Sequence, residues 1–111
     1  MLSLRRSSTE TKNIVKQFYK YPYDCRIICN DGYVETHAVV LSTASKYLRD
    51  LITDISKTGI LAPGNPLLVV LKFDRKTILS IKKLIYEGET AADADVIRCA
   101  SLLQLTDNSV M

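Results

Sequence analysis

The hydrophobic period changes along this chain, and that change limits the folds open to it. In Cys25-Arg26-Ile27-Ile28-Cys29, alternate residues share a face, so Cys25, Ile27 and Cys29 point one way while Arg26 and Ile28 point the other. That is the period of a strand. Asp31-Gly32 then supplies residues that tolerate positive φ, which predicts a tight hairpin into Tyr33–Thr36. Elsewhere the apolar spacing is three or four. Ile14, Phe18 and Tyr21 form one side of a helix from Thr9, with Lys12, Lys16 and Lys20 on another, and Pro22 ends it. Val39 to Ile55 reads as two short helices joined near Thr43–Ser45. The stretch 58–66, with two prolines and two glycines, must be a loop. Leu67–Phe73 is a nearly continuous apolar run, the pattern of a buried strand. Asp74 is placed to cap a helix with the stripe Ile78, Ile81, Leu84 and Ile85, which Gly88 terminates. A last helix runs from about Ala92 to Leu105, with Val96, Cys99, Ala100 and Leu103 inward. The order is helix, hairpin, helix pair, strand, helix, helix. This predicts an α+β class in which clustered helices pack on a small sheet.

Composition narrows the function. The 111 residues, 47% hydrophobic and 24% charged, suit one globular domain. No apolar run approaches the ~20 residues of a membrane span, and Met1–Glu10 lacks the apolar core of a signal peptide. A soluble intracellular protein, nuclear or cytoplasmic, with no membrane partner is expected. Residues 1–20 hold five cations against Glu10, whereas the remainder holds ten basic and eleven acidic side chains. The positive excess therefore sits in a leader and first helix. It does not form a face across the domain, which argues against direct nucleic-acid binding. Residues 1–8 read as a flexible leader, with the domain over 9–111; Arg5-Arg6-Ser7-Ser8 matches a basic-directed kinase site with Ser8 as acceptor.

Candidate chemistry is sparse. Cys25, Cys29 and Cys99 do not have the paired spacing of a zinc site and read as small core hydrophobes. Asp93 and Asp95 lie at a helix start, where acids suit the dipole. The four glycines are scattered singly, so no phosphate loop exists, and no Gly-x-Ser-x-Gly stretch accompanies the sole histidine. His37 sits where a strand hands over to a helix. An imidazole there satisfies a backbone group while its ring packs inward. No catalytic, cofactor or metal residue is expected.

The residues now carry a resemblance. Asp24 stands where the BTB/POZ family has an aspartate before its first strand. His37, Leu41 and Ser45 repeat that family's four-residue spacing, with Leu48 in the place of the usual phenylalanine. Ile85-Tyr86-Glu87-Gly88 resembles its helix end, and Ile97–Leu105 its later helix with two small residues before a Leu-Gln pair. The resemblance covers nearly the full length. It implies a cluster of helices with a small three-stranded sheet, no catalytic activity, and a module that binds other proteins as scaffold or adaptor. The helix at 9–20 is similar to the N-terminal helix of dimerising members, which implies a homodimer interface at Ile14, Phe18 and Tyr21. The alternative is a monomeric adaptor like the Skp-type and elongin C proteins of cullin ubiquitin ligases, which begin near the hairpin. The link from Gly88 to the next helix, Glu89 to Ala91, is shorter than the family's, and the domain is expected to lack its last helix. Family members that recruit cullins carry a hydrophobic-x-Glu motif near Leu51 and Ile55. Here Lys57 occupies the glutamate position, so weak or absent cullin contact is expected.

Overall fold

The computed structural model describes residues 2–6, 8–57, 65–105 and 108–110. The elements run β1 (Leu2–Arg6), α1 (Thr9–Phe18), β2 (Cys25–Cys29), β3 (Gly32–Thr36), α2 (Ala38–Ala44), α3 (Lys46–Lys57), β4 (Leu67–Val70), α4 (Arg75–Glu87), β5 (Glu89–Ala92), α5 (Ala94–Leu102) and β6 (Asn108–Val110). Two three-stranded sheets result, ordered β3-β2-β4 and β5-β1-β6.

The first sheet grows from the hairpin. Cys25 pairs with Thr36 and Cys29 with Gly32, so the loop is Asn30-Asp31. Of the Asp31-Gly32 pair only Gly32 has positive φ, at 155°. A Cβ there would meet the Arg75 side chain at 3.2 Å. β4 then joins β2 in parallel, which requires the crossover through α2 and α3. Its burial alternates: Leu67 and Val69 are buried, Leu68 and Val70 exposed. The strand is therefore half-buried, unlike the fully covered strand expected, because the core covers one face of the sheet alone.

The second sheet departs most from expectation. Residues 2–6, read above as part of a flexible leader, form its central strand, antiparallel to β5 and β6. Leu4 is 1% exposed and belongs to the core. Glu89–Ala91, expected as a bare link, is strand β5. Ser8 begins α1 as its N-cap, its Oγ accepting from the Thr11 N–H at 3.2 Å. The break between α2 and α3 falls at Ser45. Gly88, at φ 92°, closes α4 as expected. Asp74 occupies the N-cap position of α4 without a side-chain cap bond. Instead Asp31 Oδ1 accepts from the Arg75 N–H at 2.7 Å, an acceptor supplied from the hairpin loop. The loop expected over 58–66 lies outside the described residues except at Asn65 and Pro66.

Ile27, Leu41, Leu48, Ile78, Ile81 and Leu103 are each under 2% exposed and bring sheet and helices into one core. Each such side chain contributes ~1.5–3 kcal/mol through burial. Among the described residues, no helix is long and apolar enough to cross a membrane.

Candidate functional site

His37 is 3% exposed, and both ring nitrogens are engaged. Nε2 lies 2.8 Å from the Tyr21 carbonyl oxygen, which only accepts, so Nε2 carries a proton. In the neutral ring Nδ1 is then an acceptor, and the Tyr86 hydroxyl donates to it at 2.8 Å. The same hydroxyl oxygen accepts the His37 backbone N–H at 2.9 Å. Every polar atom of the histidine is thus matched, and none faces outward to take a proton from a substrate. Tyr23 stacks on the imidazole with centroids 4.8 Å apart. The Lys82 ammonium donates to Glu35 O at 2.7 Å and to Tyr23 Oη at 3.2 Å. Burial holds the Tyr86 phenol well above its ordinary range, against a smaller lowering from its backbone bond to His37.

Two further polar side chains hold the helix pair. Asp24 Oδ1 accepts from the Ala38 N–H at 2.8 Å and so caps α2 from 14 residues away. His37, the N-cap by position, makes no side-chain cap bond. Ser45, fully buried, accepts from the Leu48 N–H at 3.0 Å and donates to the Leu103 carbonyl. One hydroxyl therefore caps α3 and ties it to the end of α5. Leu41, 1% exposed, packs in the core between these anchors.

This arrangement is similar to a solved structure, the BTB (Tramtrack and Bric a brac) domain of human Gigaxonin. The match covers 91% of this chain and 86% of that one at a TM-score of 0.65, with 19% sequence identity. The chain has a BTB fold. No family model matches the sequence, and no curated protein matches it either.

Within this BTB fold, α1 lies along α2, burying Thr11 completely. Ile14 and Phe18, named above for a dimer interface, are partly buried against the chain's own core. Tyr21 is 53% exposed, its ring 5.7 Å from that of Phe18, and Tyr19 is 65% exposed. Tyr21 prolongs the apolar side of the helix outward, whereas Tyr19 is exposed on the turn that ends it. At the other end of the pair, Leu51 and Ile55 pack partly on the core, while Lys57 is exposed.

The three cysteines are free and buried. Burial pushes the Cys25 thiol up to about 11, despite a hydrogen bond with Thr36, and the Cys99 thiol up to about 12. Burial raises Cys29 too, aided by the charge of Asp31. Such thiols stay protonated and unreactive near neutrality. Among the described residues no group of three His, Cys, Asp or Glu converges as metal ligands would.

Proposed function

We propose that the chain is a non-catalytic protein–protein interaction module that pairs with a second copy through α1 and the tyrosines that follow it, and acts as a scaffold or adaptor for other proteins. The observation that carries this reading is the unsatisfied side of α1. A helix of ten residues is marginal in water and depends on burial. Here one side meets α2, while Tyr21 remains more than half exposed against partly open Phe18, with exposed Tyr19 at the same helix end. Aromatic side chains of this kind are enriched in interface cores, and a two-fold axis uses the same patch twice. The likeness to a BTB domain supports an interaction role, since that fold offers faces in place of a cleft with reactive groups.

The test is sedimentation of the intact chain beside the double variant Tyr19→Glu, Tyr21→Glu. Both positions are exposed, so the variant is expected to fold. The intact chain is expected as a dimer at concentrations on the order of tens of micromolar, and the variant as a folded monomer. An intact chain that sediments as a monomer overturns the pairing and leaves a monomeric adaptor in its place.

A further inference from the structure

We propose that the free edge of β4, with the groove at its C-terminal end, binds an extended acidic and apolar peptide segment of a partner protein, which adds to the sheet as a fourth strand. This deepens the interaction-module reading but uses residues other than those of the α1 pairing surface.

The strand itself supplies the first observation. β4 ends the sheet β3-β2-β4. The Leu67 N–H bonds to Asp24 O at 2.9 Å and the Leu71 N–H to Ile28 O at 3.0 Å. Alternate residues of a strand point their backbone groups to opposite sides. Leu68 and Val70 therefore turn their N–H and C=O groups away from β2, and among the described residues no strand answers them. Their side chains are 52% and 66% exposed. Natural sheets blunt such edges with charge, proline or a bulge, and Leu67–Val70 contains none of these.

The groove supplies the second. Past Val70 the chain turns, the Phe73 N–H bonding to Leu71 O at 2.9 Å, and an open groove of about 490 Å³ forms against α3 and α5. Tyr47, Val70, Phe73 and Leu102 give it apolar walls, and Lys72 and Arg98 give it two cations; among the described residues no carboxylate lines it. The Arg98 guanidinium lies 5.4 Å above the Phe73 ring and reaches Asp95 at 3.1 Å, in a pair exposed on both sides. An exposed pair contributes little, so the guanidinium can take a carboxylate from outside. The charge selects the occupant. A second copy would offer the uncharged Leu67–Val70 segment and leave both cations unanswered, whereas a strand with alternating apolar and acidic residues answers edge, walls and charge together.

The experiment follows fluorescence anisotropy of the full chain with a labelled peptide of alternating Asp-Val-Glu-Leu units. Its comparators are the same peptide with lysine for each acid, and one N-methylated on the residues that would face β4. The acidic peptide is expected to bind at least about tenfold more tightly than either, and Arg98→Glu with Lys72→Glu to weaken it about tenfold or more. Val70→Pro removes an outward N–H while sparing the bonds to β2, and is expected to abolish binding with little change in melting temperature. Should that variant unfold, N-methylation of the peptide reads the same hydrogen bonds from the other side. No saturable binding, equal binding of the lysine or N-methylated peptide, or indifference to the charge reversals overturns the proposal. So does a fall in sedimentation mass on Val70→Pro, which would assign the edge to a second copy. A chain monomeric by sedimentation leaves these anisotropy readings unaffected, so the two readings fail separately.

Discussion

Tyr86→Phe probes the histidine cluster with one atom. The substitution keeps the ring and removes an oxygen that both accepts the His37 backbone N–H and donates to Nδ1. A buried N–H left without an acceptor costs ~1–3 kcal/mol, and a neutral side-chain bond contributes about 1 kcal/mol more. A loss of about 2–4 kcal/mol is expected, a large part of the ~5–15 kcal/mol total of a typical domain. His37→Ala removes the same Nδ1 bond together with the Tyr21 contact and a buried ring, for a loss of about 3–5 kcal/mol. Because the two variants share one hydrogen bond, the double variant is expected to be about 1 kcal/mol less destabilised than the sum of the singles. Urea unfolding followed by circular dichroism measures all four corners of this cycle. Strict additivity, to within ~0.3–0.5 kcal/mol, would refute the assignment of Tyr86 as donor to a neutral His37.

Other expectations follow from the same contacts. Ser45→Ala leaves the Leu48 N–H and the Leu103 carbonyl without partners and is expected to cost about 2–4 kcal/mol, whereas Thr43→Ala, whose bond to Val39 is exposed, costs under ~0.5 kcal/mol; thermal melts compare them. The Cys25 thiol titrates near 9.0 when unburied and about 11 when folded, so folding retains its proton. Stability is complete below pH 9 and falls as pH rises through about 11, at about 1.4 kcal/mol per unit for this group. Cys25→Ala is expected to flatten that slope in urea titrations between pH 8 and 11, and an unchanged slope contradicts it. Little capture by immobilised cullin scaffold is expected, because exposed Lys57 places a cation at the position where the resemblance puts the glutamate of cullin-recruiting members. Tight capture unaffected by Lys57→Glu would remove that reasoning.

What was legible in the sequence was local. The hairpin showed in the alternation of residues 25–29 and the Asp-Gly pair, and the α2–α3 break in the spacing around Ser45. Gly88 announced its own left-handed cap. The interior place of His37 was legible from the strand-to-helix handover, but its partner Tyr86 lies 49 residues on, and no local pattern encodes such a pairing. The same reason hid Asp31 as the acceptor for α4, supplied across 44 residues. β4 read as buried on both faces because an apolar run does not reveal which face of a sheet is left uncovered. In β1, the alternation of Leu2 and Leu4 with Ser3 and Arg5 is too brief to outweigh the basic residues around it.

The position of β1 also sets a schedule for the chain's synthesis. Leu2 pairs with Ala92, and Arg6 with Asn108, so β1 waits for strands made roughly 90 to 100 residues later. At ~5–20 residues per second, a ribosome needs roughly 5–20 s after making Leu2 before Ala92 exists. Throughout that interval Leu4 lacks the partner strand that seats it in the core. The hairpin and helices can assemble while the nascent chain carries β1 as an unpaired strand ahead of them, available to a chaperone or to a neighbouring chain. The step that closes the second sheet is then the capture of β1 by strands made well after it, and substitutions in β5 would act on this late event while leaving the earlier assembly intact.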